Sequence, residues 1–334
     1  MELLHNKVSI FIPTYNRWGA LKKTLPHLLK YAPKDLTIQI VNNASTKNEC
    51  RNDVEAIVKK SDKKNLSIID YKVNVGGEGN FLRCAELCQT EYIWVLGDDD
   101  FIHEDAFINL EHVLLSPVNY GWINFYVENK YDNRSYGNRI FNSPFVMINA
   151  SPNWAELMFI SSNIYSTDLL KKGLFFGHKW QATLSVLPLA VSKGWECLDE
   201  NDHQLNFLLS EEMLIKLTGV GEMHYDQIDV YSSLPLLEKV HFSSGQASSS
   251  IKNALRRATR HIFKPRVVIK HLIERVCDDG FMKGFRIFYK VSKGLPYMIG
   301  PLKSLFYIIY GNFMLIVVAF LSMLGLKSRK VRRA

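Results

Sequence analysis

Apolar and polar positions alternate between two rhythms through the first third of the chain. Positions 7–13 (KVSIFIP) form an unbroken apolar, β-branched run, the pattern of a strand buried on both faces. Positions 17–32 then carry apolar residues at helical spacing, with Pro26 inside as an expected kink or break. The same exchange continues, with strands expected within 36–46, 65–72 and 91–100 and helices within 48–62 and 79–90. Strand and helix in strict alternation predict an α/β fold, a Rossmann-like and mostly parallel sheet covered by helices. Ligands of such sheets sit beyond the carboxyl ends of the strands. Three polar clusters fall at those ends: PTYNR (13–17), NNAST (42–46) and GDDD (97–100).

The last of these poses a physical problem. Asp98, Asp99 and Asp100 crowd three carboxylates onto adjacent residues, and each raises the pKa of the others. Either a cation compensates them or they point freely into water, for example in a turn where Asp98 caps the following helix. Oxygen ligands at a strand end suit Mg²⁺ or Mn²⁺, held by one or two carboxylates with the remaining positions left to water and substrate phosphates.

Composition narrows the class. The chain has 334 residues and a net charge of +8, enough length for a large core and a charge that favours an anionic partner. Five cysteines without CxxC spacing build neither a disulfide framework nor a zinc site, and Cys84 and Cys88 read as reduced packing residues. The N-terminal stretch lacks a secretory h-region, so the chain is expected to start and stay in the cytoplasm. From Lys252 onward bases dominate, and SSGQASSS (243–250) reads as a linker, which places a domain boundary near 245.

Residues 246–334 form the expected helical, membrane-associating region. Positions 305–326 are apolar and long enough to cross a bilayer, but the basic cluster that follows conflicts with one outward crossing from the cytoplasm. A re-entrant or interfacial placement, or pairing with 285–302, removes the conflict. Positions 251–276 alternate bases with aliphatics, as interfacial helices do. The expected partner is therefore a membrane surface with anionic lipid, not nucleic acid.

Four segments taken together carry a family resemblance. VSIFIPTYNR (8–17), VNNAST (41–46), NVGGEGN (74–80) and EYIWVLGDDD (91–100), in this order and spacing, resemble the family 2 glycosyltransferases of GT-A fold. The glycine before the aspartates is similar to a bacterial surface-polysaccharide branch that includes abequosyltransferase-like enzymes. The resemblance covers 7–110 well and 155–200 loosely. It implies sugar transfer from a nucleotide-diphosphate-sugar donor to a lipid-linked or saccharide acceptor in O-antigen or capsule synthesis. It also implies a divalent metal at a DxD-type motif, inversion at the anomeric carbon, and work at the cytoplasmic face of the bacterial inner membrane as a peripheral or monotopic protein.

Roles follow residue by residue. Pro13, Tyr15 and Asn16 match the loop that shapes the nucleotide pocket. Asn42 and Asn43 stand where the family usually has acids contacting the base, a departure that makes cytosine thinkable because an amide can donate; both can also be turn formers. Asn80 matches a helix-start asparagine near the donor, or serves as an N-cap. Arg83, one turn later, faces phosphates or solvent. The metal motif reads as Asp98 with Asp100, or as Asp98 with Asp99 when aligned on the following Phe101–Ile102.

The base that takes the acceptor's proton usually lies about a dozen residues before a glycine–aromatic pair. Gly194–Trp195 fits the pair, yet 177–182 holds no carboxylate, which leaves His178 as the nearest titratable group. Asp199, Glu200 and Asp202 are the substitutes. Two other classes remain open: a nucleotidyltransferase, whose glycine-rich phosphate loop is poorly matched near the first strand, and a non-catalytic membrane-bound sugar-binding or scaffolding protein.

Overall fold

A computed structural model describes residues 3–127, 137–151, 154–198, 204–216, 233–262 and 289. Strand β1 (Val8–Thr14) is buried along its whole length, as its continuous apolar run requires. It lies in the middle of a parallel quartet. β2 (Ile38–Asn42) pairs with it on one side and β4 (Tyr92–Val95) on the other, and β3 (Leu66–Asp70) extends the quartet beyond β2. Chain order reverses between β1 and β4, so the crevice beyond their carboxyl ends is the position where this class of sheet binds its ligands.

The sheet then changes character. β8 (Asn163–Ser166) runs antiparallel to both β4 and β6 (Tyr120–Tyr126). β9 (Asn206–Met213) is parallel to β6 and antiparallel to β7 (Arg139–Phe141). The result is an eight-stranded mixed sheet in the order β3-β2-β1-β4-β8-β6-β9-β7. A separate two-stranded ribbon joins β5 (Phe101–Ile102) to β10 (Ile215–Lys216). Alternation of strand and helix foretells the parallel half, whereas the other half pairs strands that lie far apart in the chain.

Helices cover both faces. α1 (Leu4–Lys7) leads into β1, and α2 (Trp18–Tyr31) turns Trp18, Leu21, Leu25 and Leu28 inward at helical spacing. Pro26 sits inside α2 without ending it, so of the expected kink or break the break does not occur. α3 (Arg51–Lys60) adjoins α2, and α4 (Gly76–Leu87) starts three residues before the predicted helix. α5 (Ala106–Leu114) follows the aspartates. Buried Trp94, Leu96, Phe107 and Leu110 join the α2 side of the core, each large apolar side chain contributing about 1.5–3 kcal/mol.

After α6 (Pro144–Ala150) and α7 (Trp154–Met158), helices α8 (Thr167–Lys172), α9 (Leu174–Lys179) and α10 (Val186–Glu196) share the other face with α4. α8 and α10 approach so closely that a Cβ at Gly194 would lie 1.9 Å from the Leu169 carbonyl oxygen. The glycine of the Gly194–Trp195 pair is thus required by helix packing.

The chain divides into two compact units, Met1–Glu222 with Phe242–Ser250, and Met223–His241 with Ile251–Ala334. The expected linker at 243–250 is instead the start of a helix, Gly245–Ile262. The serines themselves begin it. The Ser244 hydroxyl accepts from the Ala247 N–H at 3.1 Å, and the Ser249 hydroxyl donates to the Gly245 carbonyl at 2.8 Å. Among the described residues no helix is long and apolar enough to cross a membrane. The apolar run 305–326 lies outside them, as does nearly all of the expected membrane-associating region beyond residue 262.

Candidate functional site

The aspartates occupy a turn just past β4, where the Asp100 N–H donates to the Gly97 carbonyl at 3.2 Å. Their side chains diverge. Asp98 is buried and turns toward β1, where the Thr14 hydroxyl donates to its Oδ2 at 2.7 Å. Its backbone carbonyl accepts from the Thr24 hydroxyl of α2 at 2.8 Å. Asp100 folds back to Ser161, whose hydroxyl donates to Oδ2 at 2.5 Å while accepting the Gly97 N–H at 2.8 Å. A Cβ at residue 97 would lie 2.4 Å from that Asp100 oxygen. Only glycine permits the carboxylate to fold over its own strand end.

The crowded charge is met by a cation from within the chain. Arg17, immediately before α2, places Nη1 2.9 Å from Asp98 Oδ1 and Nη2 2.7 Å from Asp99 Oδ2. Desolvation still pushes the Asp98 carboxyl up to about 7, against the pull of Arg17 and Thr14. Asp100 is likewise pushed up to about 6 by desolvation, opposed by the Ser161 hydroxyl. No three acidic, histidine or cysteine side chains converge on one point among the described residues. Asp98 and Asp99 do converge, with one oxygen each turned to the same guanidinium. A position that holds a +1 group between two carboxylates fits a hard divalent cation, with a diphosphate completing its shell.

The residues expected around the nucleotide are brought to the same end of the sheet. Pro13 is buried as the penultimate residue of β1, and Tyr15 beyond it is exposed. Asn16, at φ 57°, uses its carbonyl oxygen to accept the Thr46 and Lys47 N–H groups, both at 2.8 Å. Asn43 is saturated. Its carbonyl oxygen accepts from the Val75 N–H and from Arg83 Nη1, and its amide donates to Asn74 Oδ1 and the Gly76 carbonyl. Asn42 donates to Asp70 Oδ1 at 2.7 Å and accepts the Ser45 N–H at 3.1 Å. Both amides are occupied in tying the end of β2 to neighbouring segments of the chain.

Three further placements differ from expectation. Asn80 is neither a helix start nor an N-cap; it lies inside α4, buried, and donates to the Val41 carbonyl at 3.0 Å. The glycines ahead of it let the helix begin at Gly76, so residue 80 faces the sheet. Arg83 also turns inward, bonding Asn43 and the Val73 carbonyl and stacking 4.0 Å over the Tyr71 ring. The carboxylate beside Asn42 at the end of β3 is Asp70, which sequence reasoning missed. Hydrogen bonds from Arg51 hold its pKa down.

His178 is not brought to the aspartates. It lies on α9, with Nε2 3.3 Å from Glu86 Oε1 in the last turn of α4 and Nδ1 2.9 Å from the Gln181 amide nitrogen. Neither partner belongs to the cluster around Asp98. Asp199, Glu200 and Asp202 lie outside the described residues.

A second acid was also missed. Glu78, in the first turn of α4, is buried and accepts the Val186 N–H at the start of α10 at 3.2 Å. Desolvation pushes its carboxyl up to about 8. Its setting within VGGEGN gave no periodic signal that would have marked it as interior.

The profile of glycosyl transferase family 2 matches residues 9–172. Over 115 residues the chain is 32% identical to abequosyltransferase RfbV of Salmonella typhimurium, and the match spans 33% of each protein. The chain thus spans about a third of the length of that curated relative. In fold it is similar to residues 1–349 of S. aureus TarS solved with UDP-GlcNAc, at 14% identity and TM-score 0.52, covering 96% of this chain and 92% of that one. It is similar also to the mannosyltransferase PcManGT of Pyrobaculum calidifontis, solved with GDP-Man and Mn²⁺, at 13% identity and TM-score 0.52, covering 95% of this chain and 87% of that one. At these identities the two solved structures speak for the fold.

Proposed function

We propose, for a chain whose residues 9–172 belong to glycosyl transferase family 2, that it moves a sugar from a nucleotide-diphosphate donor to a lipid-linked saccharide in surface-polysaccharide assembly. The observation that carries this reading is the convergence of Thr14, Arg17, Asp98 and Asp99 just beyond the carboxyl ends of β1 and β4. The likeness to proteins solved with UDP-GlcNAc and with GDP-Man and Mn²⁺ supports a nucleotide-sugar donor and a divalent ion. The relation to an abequosyltransferase supports transfer of a sugar as the reaction.

In this reading Asp98 and Asp99 hold Mg²⁺ or Mn²⁺, which when bound supplies charge neutralisation to the leaving diphosphate. Thr14 fixes the Asp98 carboxylate, and Ser161 with Gly97 fixes that of Asp100. The loop of Pro13, Tyr15 and Asn16 lies beside the floor built on Asn42 and Asn43, where the base would lie. A screen of nucleotide sugars against the purified protein with Mn²⁺, read as release of nucleoside diphosphate, tests the reading. Release from no donor would overturn it.

The acceptor's proton needs a base, for which His178, Asp199 and Asp202 are the candidates. Because both ring nitrogens of His178 are engaged on the flank of α4, His178→Gln should leave turnover within about tenfold of wild type. The asparagine variant of the true acid should lose about 10²- to 10⁴-fold. A loss of that size in His178→Gln would put the imidazole at the reacting hydroxyl.

The basic, apolar sequence beyond residue 250 supports attachment to the cytoplasmic membrane face, where the proposed lipid-linked acceptor would be met. Each base near an anionic surface contributes about 1 kcal/mol, and apolar insertion adds to that. The full-length chain should therefore sediment with membranes and resist both high salt and carbonate. Recovery in the soluble fraction without detergent would rule the attachment out.

A further inference from the structure

Arg17 stands in the place that the donor-site reading gives to a divalent cation. One oxygen of Asp98 is already held by Thr14, and the other faces Arg17 Nη1 at 2.9 Å. The facing oxygen of Asp99 lies 2.7 Å from Nη2, yet buried Nη2 makes no hydrogen bond. The guanidinium is therefore held by charge, without the parallel, aligned pairing that makes arginine–carboxylate forks strong. Its two carboxylate contacts are also the two oxygens that a cation would take.

We propose that Arg17 is an exchangeable counter-ion: it bridges Asp98 and Asp99 and offsets part of their charge until a divalent cation arrives with a diphosphate, then leaves the carboxylates and pairs with the phosphates. This rests on the reading of the strand ends as a donor site. A cation alone must compete with a tethered guanidinium for the same two oxygens. A cation carrying a diphosphate brings Arg17 a new partner of matching geometry, since a guanidinium binds phosphate oxygens in pairs. Cation and diphosphate consequently bind with positive coupling, and each raises the affinity for the other by the same factor. The divalent cation takes over the contacts that Arg17 makes, so Asp98 and Asp99 keep a cation between them throughout the exchange.

Equilibrium dialysis of the full-length protein tests this without reading turnover. With radiolabelled Mn²⁺ alone, Arg17→Gln should bind the ion about tenfold or more tightly than wild type, because a competing positive charge is gone. With radiolabelled pyrophosphate at saturating Mn²⁺, the same variant should bind about tenfold or more weakly. Arg17→Lys keeps the charge and should bind Mn²⁺ close to wild type, and a gain in affinity cannot come from misfolding. Equal or weaker Mn²⁺ binding by Arg17→Gln overturns the exchange, as does undiminished pyrophosphate binding. The Asp98→Asn/Asp99→Asn variant separates the two layers. If it binds Mn²⁺ as wild type does, the cation site itself is misplaced and the exchange falls with it. If it loses Mn²⁺ while Arg17→Gln is unchanged, only the exchange is wrong.

Discussion

Converting Asp98 and Asp100 together to asparagine should lower turnover by at least about 10²- to 10³-fold, the cost of losing charge placed for a transition state. The fold should survive. Asparagine keeps the shape of each side chain, and Thr14, Thr24 and Ser161 retain oxygen partners at those positions. Removing two buried carboxylates also removes a desolvation cost, so thermal stability should hold or rise. Release of nucleoside diphosphate and the melting curve measure the two arms. Undiminished turnover in this variant, or in wild type with excess EDTA, would separate the aspartates from the chemistry.

Glu78 makes a prediction about stability of comparable size. Burial pushes its carboxyl up to about 8 in the folded chain, against an ordinary value of 4.5. The folded state therefore holds a proton that the unfolded state releases between those values, and stability falls as pH rises through that window. Each tenfold difference in proton affinity between the two states corresponds to about 1.4 kcal/mol. Glu78→Gln, which cannot ionise and can still accept the Val186 N–H, should raise Tm by at least about 5 °C at pH 9, at roughly 2–4 °C per kcal/mol. The gain should shrink toward zero near pH 4. A Tm difference that is the same at both ends of the range would mean that Glu78 ionises as readily in the folded chain as in the unfolded one.

Legibility from sequence followed periodicity. β1, β2 and β4 were readable because strands buried on both faces are continuously apolar, and α2 because Trp18, Leu21, Leu25 and Leu28 repeat at helical spacing. β6, β8 and β9 were not read, since their partners lie far off in the chain and no hairpin turn announces them. The aspartate turn was legible as a charge conflict, but its resolution was not. Arg17 stands more than eighty positions before the acids, and only the pairing of β1 with β4 brings it beside them. Asn42 and Asn43 illustrate the opposite case. Their location at a strand end was foreseen, but side-chain amides serve equally as ligand readers and as loop braces, and residue type alone does not separate the two. Glu78 escaped for a third reason: glycines on both sides leave no hydrophobic pattern from which burial can be inferred.

Asn43 ties the end of β2, the turn at 73–76 and Arg83 on α4 into one knot of four hydrogen bonds. Immobilising a polar side chain at the moment of association costs about 0.5–1.5 kcal/mol. Here that cost is met during folding, so an arriving ligand lands on a surface that has already stopped moving. Preorganisation of this kind shows mainly in the residence time, because a floor that does not relax gives the bound molecule few partial exits. Weakening the knot, as Asn43→Ala would, should thus shorten the stay of a bound nucleotide without slowing its arrival.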